Sequence, residues 1–117
     1  MTEPKESSLL DFLCKGTHPV EVGLRPEKTV ALFRLALDRG FVHIIFTDTK
    51  ARGGTELGLR LDRAASDLSQ ADFEGASGTV KIVGTLTFDY WKVRCIADID
   101  LSSLEGTGHL EKLEFLG

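Results

Sequence analysis

Residues 79–101 contain two consecutive runs of two-residue alternation, and the phase changes between Tyr90 and Trp91. Before the change the even-numbered positions are apolar or small, and after it the odd-numbered positions are. Successive side chains of a β-strand point to opposite faces, so each run predicts a half-buried strand. The change of phase indicates a chain reversal, and the sequence therefore predicts an antiparallel β-hairpin. Its inner face consists of Val80, Ile82, Gly84, Leu86, Phe88, Val93, Cys95, Ala97, Ile99 and Leu101.

The same pattern predicts which residues face each other across the hairpin. If the chain reverses at the change of phase, Lys81 lies opposite Asp100 and Asp89 lies opposite Lys92. Both pairs join opposite charges on the outer face, which favours this register. We expect a connection over residues 89–92, because two-residue turns favour Asn, Asp or Gly at positions of positive φ.

Residues 26–39 form the main predicted helix. Pro26 suits a first helical position, and Gly40 suits the left-handed residue that follows a helix. We expect the helix to pack deeply on a sheet, because its apolar face is wide. Gly84 and Ala97 on the inner face of the hairpin would leave a trough for it. The apolar face consists of Val30, Leu32, Phe33, Leu35, Ala36 and Leu37.

Other segments complete the predicted sheet. Residues 20–24 alternate and lie among a glycine and prolines, which predicts an edge strand. The apolar run over 41–49 predicts a central strand that is covered on both faces. Residues 50–54 are interpreted as a glycine-containing hairpin loop before an alternating strand over 55–62. Residues 109–116 form either a last strand or a short helix, and the preceding glycines favour the strand.

The remaining chain predicts a short N-terminal helix, capped by Ser7 or Ser8 and ended by Gly16. Residues 63–78 have no clear period, and whether they cover the outer face of the hairpin is open. The predicted fold is α+β: a single antiparallel sheet of about five to six strands that can curve strongly, like a barrel, packed by the helix over 26–39 and the short N-terminal helix. We expect one domain over the whole chain, with a flexible segment over about residues 1–6.

Composition argues against several classes of function. The 117 residues carry 14 Lys and Arg against 18 Asp and Glu, a net charge of −4, whereas nucleic-acid-binding proteins present a basic face. No apolar stretch approaches the roughly 20 residues of a membrane span. Residues 1–8 are polar and acidic, unlike a signal peptide. We therefore expect a cytoplasmic protein that binds neither nucleic acid nor membrane.

The candidate polar sites are single residues rather than complete motifs. His43 and Asp48 lie in and just after an apolar strand, Arg52 precedes two glycines, and His109 ends a predicted tight turn over 106–109. No HExxH, EF-hand loop, nucleophile elbow or dinucleotide fingerprint occurs. The two cysteines fit no zinc spacing. The sequence therefore predicts no catalytic residues, no metal and no cofactor, and an enzyme is the less favoured interpretation.

The outer face of the hairpin is more apolar than a solvated face requires. Val83, Thr85 and Ile96 lie between the predicted ion pairs, and Tyr90 and Trp91 occupy the tip. A small apolar centre with aromatic residues and a charged rim is typical of an interaction surface. The first hypothesis is a non-enzymatic binding or regulatory module that contacts a protein partner, or a second copy of itself in a homodimer, through these residues.

The alternative hypothesis places a pocket between the helix over 26–39 and the sheet. The protein would then be a small enzyme or a small-molecule-binding protein. Polar groups for the pocket would come from His43, Asp48, Arg52 or His109. The sequence names neither the ligand nor the partner.

Overall fold

The computed structural model describes residues 5–52, 54–88 and 90–117. Over these residues the chain forms a closed barrel of six antiparallel strands, with a two-residue strand beside it and two short α-helices. The elements, in chain order, are α1 (Lys5–Cys14), β1 (His18–Gly23), α2 (Val30–Arg39), β2 (Phe41–Phe46), a 3₁₀ helix (Thr47–Arg52), β3 (Thr55–Leu61), β4 (Ala71–Asp72), β5 (Ser77–Phe88), β6 (Trp91–Asp100) and β7 (Glu105–Phe115).

The barrel confirms the predicted α+β class with a strongly curved antiparallel sheet. Its strands follow the order β3-β2-β1-β7-β6-β5. Pairing of Arg60 with Thr85 and of Leu61 with Gly84 joins β3 to β5 and closes the sheet. Strand β1, predicted at an edge, instead lies between β2 and β7. That prediction was wrong because a closed sheet gives even a strand with a proline and a glycine a neighbour on each side.

The inner faces of the strands form the hydrophobic core, as the alternation predicts. Strand β2 alternates too: Val42, Ile44 and Phe46 are fully buried, whereas Phe41 is 50% exposed. The prediction that this strand is covered on both faces was therefore wrong. Two of its outward residues, Phe41 and His43, line a space between β2 and α2. The core side chains of the hairpin that are fully buried are Val80, Ile82, Val93, Cys95, Ala97 and Ile99.

The register of the hairpin differs from the predicted one. Phe88 pairs with Trp91, and Lys81 lies opposite Asp98 rather than Asp100. Shifting one strand by two residues keeps every side chain on its face, so alternation alone cannot distinguish the two registers. The turn is shorter than predicted because Tyr90 adopts φ = 67°, the left-handed conformation that two-residue turns need.

The register also changes two other predictions: the ion pair between Asp89 and Lys92, and the trough formed by Gly84 and Ala97. Lys92 lies opposite Thr87, and Asp89 lies outside the described residues. Gly84 faces Cys95 rather than Ala97. A Cβ at Gly84 would come within 2.8 Å of the Leu59 Cβ atom. Strand β3 therefore occupies the space that was predicted to receive the helix.

Helix α2 begins later than predicted. Thr29 is its N-cap, and the Thr29 hydroxyl accepts a hydrogen bond from the Leu32 N–H at 3.2 Å. Residues 26–28 therefore precede the helix, and Gly40 follows it with φ = 78°, as predicted. Phe33 and Leu37 are the helix residues that are buried in the core.

Helix α1 confirms the short N-terminal helix. Leu10 and Leu13 are fully buried, and the helix ends at Cys14, before Gly16 with φ = 65°. Residues 1–4 of the segment expected to be flexible lie outside the described residues. The helix begins at Lys5, so the prediction that Ser7 or Ser8 caps it was wrong: both residues lie inside the helix. Neither α1 nor α2, the two α-helices of the described chain, is long and apolar enough to cross a bilayer.

Two predicted turns prove to be regular structure. Residues 47–52 form a 3₁₀ helix between β2 and β3, in place of the end of a strand and a hairpin loop. Gly53, part of that predicted loop, lies outside the described residues. Residues 106–109 belong to β7, which confirms the strand over 109–116 but corrects the turn before it. Gly108 lies there because a Cβ would come within 2.9 Å of the Ile96 carbonyl oxygen.

Residues 63–78 run along β5. Asp67 forms an isolated bridge with Lys81, and β4 pairs with the beginning of β5. The Ser66 hydroxyl accepts a hydrogen bond from the Val83 N–H at 3.0 Å. The segment therefore covers the edge of β5, and Val83 beside it is only 4% exposed.

Candidate functional site

Parts of β5, β6 and β7 extend beyond the closed barrel. Strand β3 pairs with β5 only at residues 84–85, and β1 pairs with β7 only as far as Gly108. Beyond those points, within the described chain, β6 is the strand that pairs with both β5 and β7. We call this three-stranded extension the arm.

The end of the arm is an exposed apolar surface. Tyr90 is 66% exposed, Phe115 60%, Leu116 52% and Leu113 40%. The rings of Trp91 and Phe115 lie 5.2 Å apart, and the Leu116 N–H donates a hydrogen bond to the Tyr90 carbonyl oxygen at 2.7 Å. These contacts place Trp91 beside Phe115, and the backbone of Leu116 beside that of Tyr90, at the same end of the arm. We call Tyr90, Trp91, Leu113, Phe115 and Leu116 the arm tip.

The predicted interaction surface is thus divided. Tyr90 and Trp91 lie in the arm tip, whereas Val83 is buried and Thr85 and Ile96 are half-buried on the barrel wall. Sequence reasoning missed the contribution of β7 to the tip. The signal was present in the apolar residues near the end of the chain, but it could be used only once 109–116 was known to pair with β6.

A cleft of about 240 Å³ lies beside the arm tip. Arg60 and Lys92 are exposed there, and neither forms an ion pair with another described residue. Leu116 belongs to both the cleft and the tip, so the two surfaces are continuous. We call this cleft the arm cleft, and its lining residues are Arg60, Thr85, Leu86, Thr87, Lys92 and Leu116.

A larger open cavity, of about 440 Å³, lies between α2 and the outer surfaces of β1, β2 and β3. Its helical wall has the spacing i, i+3, i+4 and i+7, which places the side chains on one face of α2. We call it the helix groove. The wall consists of Leu32, Leu35, Ala36 and Arg39, and the opposite side consists of Gly23, Leu24, Arg25, Phe41, His43 and Glu56.

The floor of the helix groove is aromatic. The rings of Phe41 and His43 meet edge to face, 5.1 Å apart. Both lie over Gly58, where a Cβ would come within 2.8 Å of Phe41 and 3.3 Å of the His43 Nε2 atom. At the rim, Arg25 forms an ion pair with Glu56 at 3.2 Å. The groove therefore combines apolar walls with ionisable side chains.

Asp48 holds a buried histidine that the sequence did not single out. His18 is 6% exposed, and its Nδ1 atom lies 2.8 Å from Asp48 Oδ2 while its Nε2 atom lies 2.8 Å from the Lys15 carbonyl oxygen. Both partner atoms accept hydrogen bonds, and which ring nitrogen carries the N–H depends on the tautomer of the ring. The buried ring is in contact with protein atoms at both nitrogens, so this histidine connects elements of the fold.

The other predicted polar residues lie apart from one another. His109 is on β7, opposite Ile96, with its Nε2 atom 3.5 Å from Glu111. Arg52 ends the 3₁₀ helix. Of the predicted set, His43 alone belongs to the described lining of the helix groove. The structure therefore gives His43, Asp48 and His109 separate surroundings rather than one shared site.

The two cysteines are free thiols. Burial raises the pKa of the Cys95 thiol to about 12, and burial also raises the pKa of Cys14. A thiol must ionise to act as a nucleophile, so neither is activated near neutral pH. Among the described residues, no group of three or more His, Cys, Asp or Glu side chains is arranged to hold a metal ion.

The Cys95 thiol makes stability depend on pH. In the unfolded chain it ionises near pH 9, whereas in the folded protein it stays protonated up to about pH 12. The stabilisation of the folded state that comes from this difference in pKa is complete below pH 9 and is lost as pH rises to 12. We expect wild type to lose about 1.4 kcal/mol more unfolding free energy than Cys95→Ala between about pH 8 and about pH 10. Urea unfolding at both pH values checks this, and equal losses would contradict it.

No protein-family model and no curated protein matches this chain. Functional inference therefore rests on the geometry of the described surfaces. Among the described residues, seven large apolar side chains are exposed, and four of them, Tyr90, Leu113, Phe115 and Leu116, belong to the arm tip. The helix groove is larger than the arm cleft.

Proposed function

We propose that this protein is a non-enzymatic binding module whose arm tip holds an apolar, acidic segment of a partner protein. The observation that supports it is the exposure of Tyr90, Phe115 and Leu116, each more than half accessible to water. Aromatic residues are enriched at interfaces because they bury a large area with few rotatable bonds. An apolar cluster of this kind gains free energy when a partner covers it.

The arm cleft supports an acidic partner rather than a neutral one. The chain carries a net charge of −4, yet Arg60 and Lys92 line the cleft beside Leu116, and no carboxylate of the described residues lies within ion-pair distance of either. Carboxylates on a partner would pair with these cations and increase the rate and specificity of association. Apolar side chains of the same segment would then cover the tip.

Several features favour binding over catalysis. Both ring nitrogens of His18 have acceptors, and burial keeps the Cys95 thiol protonated. Unpaired cysteines are also typical of proteins in reducing compartments, which supports a cytoplasmic location. The partner in this proposal is a protein, and neither a nucleic acid nor a membrane is required.

Selection from a displayed library of random peptides tests the proposal without a known partner. We expect wild type to enrich peptides that combine aromatic or aliphatic residues with Asp or Glu. The double variant Tyr90→Ser and Phe115→Ser should bind the enriched peptides at least about tenfold more weakly, since it removes the centre of the surface. Leu68→Ser is the matched control, because Leu68 is 38% exposed in the segment along β5, away from the tip.

Charge reversal separates the two parts of the surface. Lys92→Glu should weaken the binding of acidic peptides and leave the binding of neutral peptides unchanged. Enrichment of basic peptides, or equal binding to wild type and the tip variant, would overturn the proposal. Light scattering gives another contrary outcome: a dimer that dissociates in the tip variant would show that the occupant is a second copy of the chain.

A further inference from the structure

Helix α2 carries two adjacent apolar faces. Phe33 and Leu37 reach the core, whereas Leu32, Leu35 and Ala36 face the helix groove. Leu35 is 42% exposed. The second face therefore needs an explanation other than packing on the barrel.

The opposite side of the groove is also apolar. Phe41 points outward from β2 and is 50% exposed, although it lines the same cavity as Leu35. Two apolar walls face each other across the space instead of meeting. The cavity of about 440 Å³ falls in the range of small-molecule sites, roughly 300–1,000 Å³. At about 30 Å³ for each atom, it has room for about 15 non-hydrogen atoms.

The charged side chains of the groove favour an anion. Glu56 already pairs with Arg25 at 3.2 Å. Arg39 and His43 line the same cavity, and neither side chain forms an ion pair or a hydrogen bond with another described residue. A carboxylate accepts hydrogen bonds from both guanidinium and imidazole N–H groups, and such bonds to a charged partner are strong.

The end of α2 does not repel that anion strongly, because its last carbonyl groups already have donors. The Gly40 N–H donates to the carbonyl oxygens of Ala36 and Leu37 at 3.0 and 3.1 Å. The Arg63 guanidinium donates to the Asp38 carbonyl oxygen at 2.7 Å. The negative end of the helix dipole is thus offset by these groups and by Arg39.

We infer that the helix groove binds a small monocarboxylic acid with an aromatic or branched aliphatic body. The carboxylate lies on Arg39 and His43, and the body lies between Leu35 and Phe41. This inference does not depend on the arm tip, and the two sites are lined by different residues.

Phenylpropionate is a suitable probe, with phenylpropanamide as its neutral counterpart and phenylpropylamine as its cationic one. Titration of the full chain, followed by amide NMR spectra, should move the signals of Leu35, Ala36 and His43 with the acid. Arg39→Gln should weaken the binding of the acid about tenfold and leave the affinity for the amide unchanged. Arg34→Gln is the matched control, since Arg34 lies on the same helix over the Phe73 ring.

Each other outcome overturns the inference. If the amide or the amine binds as well as the acid, the groove does not select a carboxylate. If Arg34→Gln weakens binding as much as Arg39→Gln, the loss comes from the lower net positive charge of the helix and not from a direct contact between Arg39 and the carboxylate. Signals that move at the arm tip instead would place the site elsewhere. No binding of the acid at millimolar concentration would remove the assigned ligand class.

Discussion

Gly106→Ala should lower the free energy of unfolding by about 3 kcal/mol. Gly106 pairs with Ile99 on β6 and with Val20 on β1, so backbone lies on both sides of it. A Cβ at this position would collide with the carbonyl oxygen of Asp98. A backbone atom cannot move aside as a flexible side chain can, so the strands must separate locally. Urea denaturation of the two proteins measures the difference.

Gly16→Ala is the matched control for this substitution. Gly16 has φ = 65° and no heavy atom within 4 Å of an added Cβ. Its replacement meets only the backbone penalty of a left-handed conformation, about 1 kcal/mol. If Gly106→Ala lowers the free energy of unfolding no more than this control does, the close approach of β6 and β7 is not the reason for a glycine at position 106.

The hairpin shows what alternation can and cannot predict. It identified both strands and the face of each side chain, because those depend only on the two-residue period. It could not give the register, since Lys81 meets a carboxylate whether it faces Asp98 or Asp100. The deciding feature was the backbone of Tyr90, whose positive φ is uncommon for an aromatic residue and leaves no pattern in the sequence.

Barrel closure was the main long-range feature that the sequence did not contain. It depends on pairing between Leu61 and Gly84, which no local period announces. Close approach of neighbouring strands explains the two misinterpreted glycines, and for Gly84 that neighbour is β3, the strand that closes the barrel. Gly84 and Gly108 were interpreted through local rules, as a trough and as a turn, but they lie where neighbouring strands approach closely. A glycine required by contact and a glycine required by a turn look the same in one sequence.

The candidate sites were predictable in part. The aromatic tip followed from the hairpin, but Phe115 could join it only after the pairing of β7 with β6 was known. The wide apolar face of α2 was visible in the sequence, and it was interpreted as packing because nothing local shows that Leu35 faces a groove. The contact between His18 and Asp48 joins residues far apart in the chain and has no sequence signal.

His18→Ala should lower the free energy of unfolding by about 3 kcal/mol, because it removes the side chain that contacts Asp48. The ring packs 4.6 Å from the ring of Phe12 and 6.2 Å from that of Phe46, centre to centre. Its two nitrogens bond Asp48 and the Lys15 carbonyl oxygen. The substitution therefore removes the packing of the ring and both of its polar contacts. Thermal and urea unfolding should both show the loss.

A double-mutant cycle separates the hydrogen bond from the packing. Asp48→Ala alone should cost less than His18→Ala, because the Asp48 side chain is 29% exposed and contributes no ring to the core. The double variant should be more stable than the sum of the single losses predicts, by about 1 kcal/mol or more. Strict additivity would show that His18 stabilises the fold through its ring packing and its contact with the Lys15 carbonyl oxygen, without help from Asp48. In that case the 2.8 Å contact with Asp48 contributes nothing to the link between β1 and the 3₁₀ helix.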